Sequence, residues 1–197
     1  MTSPANFTGI LLAAGRGRRF DPLGRQDKLL QRFPDGIAVA LKSAQQLHAV
    51  FPQICVVVRH DNPALIRQFQ HGGYAPLICT TADAGLAASL TCALAATRDS
   101  AGWLIALADM PLVQAASMQA LLERLQQGAD VVVPVYRGQR GNPVGFSRKY
   151  LPDLLALSGD QGARRLLAQL PVSEVALEDP GILQDIDSTD DLYLLGN

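Results

Sequence analysis

No run of the sequence approaches the ~18 apolar residues that a membrane-spanning helix needs. The opening MTSPANFTG has neither the basic start nor the apolar stretch of a secretory signal. Cysteine is scarce. Cys55, Cys79 and Cys92 are odd in number, sit in apolar segments and form no CxxC pair. That pattern fits reduced structural thiols and not a disulfide frame or a zinc site. Together these absences predict a soluble, cytoplasmic protein with no membrane partner. An excess of positive charge is also missing: charged residues make up 18% of the chain and the net charge is −1. A general nucleic-acid binder would carry a basic face and a high pI, so nucleic acid is excluded as a partner and any electrostatic work must be local.

What the chain does have is apolar residues, 48% of 197, enough for one large domain over residues 1–197. Short apolar runs alternate with helical spacing. FTGILLA, ICVVVRH, APLICTT, WLIALAD and DVVVPVY read as strands. AVALKSAQQLHAV, Pro63 to Gln70, GLAASLTCALAAT and AASMQALLERLQQ read as helices between them. Strands apolar throughout are buried on both faces, which predicts an α/β, three-layer Rossmann-like fold. Its central sheet is mostly parallel, with helices on both faces. After Tyr136 the rhythm changes. RGQRGNPVGF reads as a small antiparallel excursion returning as a strand at Val144 to Phe146. Helices follow at YLPDLLAL and GARRLLAQL, then short strands at VSEVAL and GILQDI, and a last helix near TDDLYLL.

Ligands of parallel α/β sheets gather at the carboxyl ends of the strands. Gly15 to Lys28 follows the first strand and combines Gly15 and Gly17 with Arg16, Arg18 and Arg19. Glycine turns present backbone N–H groups to anions, and arginine offers a planar fork to phosphate oxygens. Two familiar phosphate loops are excluded. No Gly-Lys-Ser/Thr follows four spacers, and Phe20 stands where a dinucleotide fingerprint needs glycine. LADMPLV places Asp109 at the end of a strand facing the same crevice, and DIDSTDD places Asp187 after Ile186 on a short strand. Carboxylates there suit Mg²⁺. Helix capping by Asp109, and by Ser188 with Asp190 or Asp191, is the competing use. GDQGARRLL likewise reads either as a site segment or as an ordinary helix start, Asp160 pairing with Arg164.

These segments carry a resemblance over nearly the whole chain. LAAGRGRRF with DKLL, GLAASL, LADMPLV, GNPVGF, GDQGARRLL and DIDSTDDL are similar, in order, to the landmarks of the molybdenum cofactor nucleotidyltransferases, the cytidylyltransferases in particular. The resemblance implies transfer of a cytidylyl group from CTP to the terminal phosphate of a molybdopterin-type cofactor, with Mg²⁺ and release of pyrophosphate. It also implies a molybdenum hydroxylase as recipient of the product. By the same resemblance Arg19, Lys28 and Asp109 are the catalytic set. Leu12, Ala13, Ala14, Gly15, Arg16, Gly17, Arg19, Lys28, Ser89 and Asp109 bind the nucleotide. Asn142, Pro143, Gly162 and Arg164 bind the acceptor, and Asp109 and Asp187 hold the metal. An anionic nucleophile needs no strong base, in keeping with only three histidines. His48, His60 and His71 all lie away from these segments and read as structural or surface residues.

Departures from the family pattern are local. The insertion DPLGRQ lengthens the first loop before Lys28, and Phe20 replaces a methionine. Asn142 stands where several relatives carry histidine, and Leu86 stands for methionine. The Cβ of Ala14, where guanylyl-transferring relatives have glycine, favours a pyrimidine on steric grounds. Two alternatives stay open: a nucleotidyltransferase using another nucleotide or a sugar or polyol phosphate acceptor, and a non-catalytic cofactor maturation factor.

Overall fold

The computed structural model describes residues 6–17, 19–21, 23, 25–159, 163–188 and 191. The apolar runs form β1 (Phe7–Leu12), β2 (Ile54–Arg59), β3 (Leu77–Cys79), β4 (Gly102–Leu107) and β5 (Val131–Tyr136). Three shorter strands follow: β6 (Gln139–Arg140), β7 (Val144–Ser147) and β8 (Ser173–Ala176). The helices are α1 (Val39–His48), α2 (Pro63–His71), α3 (Leu86–Ala96), α4 (Ala115–Gln126), α5 (Leu151–Leu155) and α6 (Arg164–Leu167). Local signals set several of their starts. Asn62 caps α2 by accepting from the Leu65 N–H, with Pro63 in the first turn. Gly85, at φ 107°, turns the chain into α3.

The sheet runs β3-β2-β1-β4-β7-β5-β6, and β8 also pairs with β5. β1 is parallel to β2 and β4, β2 to β3, and β5 to β8. β7 lies antiparallel between β4 and β5, so β5 runs in the same direction as β4. The carboxyl ends of β1, β2, β4 and β5 therefore open on one edge, where the candidate residues collect. Alternate residues of each strand feed two cores. Leu11, Val56, Val58, Leu104 and Val132 pack with α1, α2 and α4, while Ile10, Leu12, Val57, Trp103 and Ile105 pack with α3 and α5. This is the expected α/β architecture, a mostly parallel central sheet flanked by helices. The excursion after Tyr136 is the antiparallel β6–β7 segment. Among the described residues no helix is long and apolar enough to cross a membrane.

Two local expectations are corrected. β4 ends at Leu107, so Asp109 lies in the following turn and not on the strand. GILQDI is not a strand. Pro180–Leu183 is a 3-10 turn, and residues 184–187 are irregular. Asp179 accepts from the Gly181 N–H and closes this turn, and the adjacent edge of β5 is already taken by β8. The last helix falls mostly outside the described residues, Asp190 included; Asp191 is helical.

Candidate active site

The site begins where β1 ends. Leu12 accepts from the Ala108 N–H (3.1 Å) and the Ala13 N–H donates to Val57 (2.9 Å). The first loop thus leaves the sheet between β2 and β4. Ala14, Gly15, Arg16 and Gly17 form one wall of a groove of about 500 Å³; Ala82, Asp83, Gly85, Leu86 and Ser89 form the other. Ser89 is buried in that wall. Arg16 spans the walls. Its Nε donates to Asp83 at 2.8 Å and its Nη2 to Asp61 at 3.0 Å. The hydrogen bond to Asp83, followed by the charge of Asp61, holds the guanidinium pKa above its ordinary value.

The described residues of the insertion are organised around Asp21. The Asp21 carboxylate accepts from the N–H groups of Leu23, Arg25 and Gln26 at 2.9, 2.6 and 2.8 Å, which lowers its pKa. The loop then enters a 3-10 turn, Lys28–Leu30, capped by Asp27. The second Asp27 oxygen accepts from Asn62 Nδ2 at 2.6 Å, tying the turn to the cap of α2. Gly17, at φ +60°, lies against the Lys28 stem; a Cβ there would be 3.4 Å from Lys28 Cγ.

Lys28 is buried, and its Nζ donates to Asp109 Oδ2 at 2.6 Å and to Asp187 Oδ1 at 3.1 Å. Burial disfavours the ammonium, but Asp109 and Asp187 outweigh it and hold the Lys28 pKa above its usual value. Exposed Arg19 reaches the other Asp187 oxygen at 2.5 Å. The cationic loop and both predicted carboxylates therefore converge.

Asp109 is held from two sides. Buried Ser43 on α1 donates to the Ala108 carbonyl (2.9 Å), and the Ile186 N–H donates to the Asp109 carbonyl (2.9 Å). The segment bearing Asp187 docks through the turn before it. Buried Asp179 accepts from Ser117 Oγ (2.6 Å) and the Gln114 N–H (2.9 Å) at the start of α4. Gly181 lies so close to Leu112 that a Cβ would sit 2.3 Å from its carbonyl oxygen. After Asp187, the Asp191 carboxylate accepts from the N–H groups of Asp187 and Ser188, and the Asp191 N–H donates to Ser188 Oγ. This is a capping box. Ser188 thus takes the expected capping use, while the Asp187 side chain faces Lys28 and Arg19.

Sequence reasoning missed Asp185. One oxygen each of Asp109, Asp185 and Asp187 lies within 4.8 Å of the others. Burial and the neighbouring charge of Asp187 push the Asp185 pKa up. The signal was the Asp-Ile-Asp spacing, which puts two carboxylates on one side of extended backbone and Ile186 on the other. Three convergent oxygens fit a hard divalent cation.

Of the residues expected to bind the acceptor, Asn142 N–H donates to the Ile182 carbonyl at 2.9 Å, and Pro143 is buried after a cis peptide bond. Gly162 lies outside the described residues, and of Arg164 only the backbone, at the start of α6, is described. His48 packs edge-on against Tyr74, away from the carboxylates.

Comparison with known proteins agrees with this fold. Purine catabolism protein PucB of Bacillus subtilis is 29% identical over 205 residues, covering 97% of this chain and 96% of its own. The crystal structure of Rv0371c from Mycobacterium tuberculosis superposes with a TM-score of 0.85 at 27% identity, covering 99% of both chains. A manganese complex of Rv0371c gives 0.78 at 26%, over 97% of this chain and 98% of the other. Molybdopterin-guanine dinucleotide biosynthesis protein A from Archaeoglobus fulgidus shares the fold at 17% identity, with a TM-score of 0.68 and 96% of each chain covered. Residues 9–175 match the MobA-like NTP transferase domain, and the chain belongs to that family of nucleotidyltransferases.

Proposed function

We propose that this protein, as a single catalytic domain, transfers a cytidylyl group from CTP to the terminal phosphate of a molybdopterin-type cofactor and releases pyrophosphate. The observation that carries the reading is the convergence of Lys28 with Asp109 and Asp187 at 2.6 and 3.1 Å beside the groove. Asp109 and Asp187, with Asp185 beside them, would hold Mg²⁺. When bound, the ion neutralises phosphate charge and stabilises the pyrophosphate leaving group.

The chain's own residues do the rest. Gly15 and Gly17 present backbone to the triphosphate. Lys28 and Arg19 turn from the carboxylates toward phosphate oxygens, offsetting the repulsion between two anionic reactants. Ala14 and Ser89 line the groove that receives the nucleoside, and the Ala14 side chain narrows it in favour of a pyrimidine. The acceptor phosphate is already an anion, so no histidine is required. Asn142, Pro143, Gly162 and Arg164 belong to the acceptor side. The family resemblance implies a molybdenum hydroxylase as the enzyme that receives the product.

A second reading, with another nucleotide or with a sugar or polyol phosphate as acceptor, uses the same triphosphate parts. It is favoured by Asn142, which supplies a hydrogen bond but no cation where several relatives have histidine. Labelled CTP, Mg²⁺ and purified molybdopterin, run beside the other nucleotides and a panel of phosphate acceptors, test both readings through pyrophosphate release. The cytidylyl reading expects CTP and molybdopterin to be preferred. It also expects Asp109→Ala to lose most turnover with its fold intact. Full activity in that variant overturns the metal assignment, and preference for a sugar phosphate establishes the second reading.

A further inference from the structure

The hairpin joining β5 to β6 holds an arginine in an unfavourable backbone conformation. Tyr136 pairs with Gln139, so Arg137 and Gly138 form a two-residue turn. Both have positive φ, 48° and 78°. Such turns favour Asn-Gly, because in the left-handed region a Cβ crowds the following carbonyl oxygen, a cost that glycine avoids and that the short asparagine amide offsets by local hydrogen bonding. Arg137 is the sole non-glycine residue with positive φ among the described residues. Strain of this kind persists where a side chain is needed for something else.

The fold shows where that side chain is delivered. β5 runs with β4, so the turn projects past the sheet edge on which Asp109 lies. Tyr136 and Leu183 pack against the core that contains Ile182 and Ile186, from the segment carrying Asp185 and Asp187. The Arg137 guanidinium lies over the Tyr136 ring, 5.1 Å from its centroid. The hairpin then runs into the acceptor loop, where a Cβ on Gly141 would lie 2.3 Å from the Ile182 carbonyl oxygen. The tip is thus built into a well-located frame.

Its charge is uncommitted. Lys28 is paired with Asp109 and Asp187, Arg19 with Asp187, Arg16 with Asp61 and Asp83, and Arg140 with Glu174 at 2.7 Å. Among the described residues Arg137 is exposed and has no acidic partner. An aromatic face orients a guanidinium while leaving its N–H edge open to an oxyanion.

We propose that Arg137 is an acceptor-binding residue whose guanidinium receives the phosphomonoester of the incoming acceptor. This rests on the nucleotidyl-transfer reading. A pterin phosphate and a sugar phosphate share that chemistry, and the experiment separates them.

The test is calorimetry on the full chain. Protein is first saturated with a non-hydrolysable CTP analogue and Mg²⁺, then titrated with molybdopterin in one arm and a hexose phosphate in the other. Wild type, Arg137→Asn and Arg137→Lys are compared. Asparagine suits the turn, so Arg137→Asn keeps or raises the melting temperature. It is expected to weaken the bound phosphomonoester roughly tenfold or more, the loss of a charge-assisted hydrogen bond. Affinity for the nucleotide analogue stays within about twofold, and Arg137→Lys retains part of the acceptor affinity. The arm that shows the loss identifies the acceptor source. Unchanged acceptor affinity in Arg137→Asn, or a wild type that binds nucleotide but neither phosphomonoester, overturns the role of Arg137 alone. A wild type that binds no nucleotide overturns the nucleotidyl-transfer reading and this inference with it.

Discussion

Lys28 and Asp109, 81 positions apart, meet through an ammonium–carboxylate hydrogen bond of 2.6 Å. The same ammonium reaches Asp187 at 3.1 Å. The carboxylates suited to a divalent cation are thus already neutralised by a cation of the chain itself. Three acidic groups with oxygens within 4.8 Å of one another would otherwise repel strongly. Lysine suits this position because its charge sits on a flexible stem and can be redirected to phosphate.

Replacing Lys28 by methionine therefore removes the ammonium from Asp109 and Asp187, and leaves the three-carboxylate cluster with only the exposed ion pair between Arg19 and Asp187. The expected result without divalent cations is a loss of stability of about 2 kcal/mol, below the range for a fully buried pair because the carboxylates are partly solvated. Added Mn²⁺ restores the melting temperature, and Mn²⁺ binding without nucleotide, measured by paramagnetic resonance, is tighter than in wild type. CTP binding weakens. Weaker Mn²⁺ binding in Lys28→Met would show that lysine and metal do not compete.

Gly181 tests how the acidic segment is placed. In Gly181→Ala the new Cβ meets the Leu112 carbonyl oxygen, so the Pro180–Leu183 turn must move away from α4. Overpacking of this kind costs about 1–3 kcal/mol. Because Asp185 and Asp187 follow the turn, Mn²⁺ affinity should fall together with the melting temperature, although the substitution touches no carboxylate. Destabilisation with unchanged Mn²⁺ affinity would separate the turn from the site.

The cysteines give a pH test. Burial raises Cys55 and Cys92 to about 11 from an ordinary 9.0. Since the thiolate is the nucleophile, alkylation of these two at pH 8 should be about a hundredfold slower in the native protein than in the unfolded chain. The native rate should keep climbing as pH rises through about 11, while the unfolded rate levels off above about 9. Mass spectrometry after brief iodoacetamide treatment reads both. Equal rates at pH 8 would mean that these half-buried thiols are not desolvated.

Much of this was legible in the sequence because it rests on periodicity. Runs such as ILL, VVV and LIAL cannot be solvated on either side, so a covered parallel sheet follows, and loops at its carboxyl edge follow from the sheet. The failures occurred where pattern is ambiguous. GILQDI has the apolar content of a strand, yet Ile182, Leu183 and Ile186 pack as a capped turn and an irregular run. A short apolar stretch does not reveal whether a strand edge is free to receive it. Asp185 was passed over because only the docked segment shows both acids of Asp-Ile-Asp turned to one side.

The amino-acid order alone determined the α/β layering, the cationic loop after the first strand and the presence of Asp109 and Asp187 as acids without an obvious core role. Those properties are local, set by which side chains avoid water and which turns glycine permits. That Lys28, Asp109, Asp185 and Asp187 share one small volume was decided only by tertiary packing. It depends on β7 inserting between β4 and β5, on Asp179 docking at the start of α4 and on the Ile186 N–H reaching Asp109. Contacts across so many residues arise from closing long loops around a common core, and no short window of sequence contains them.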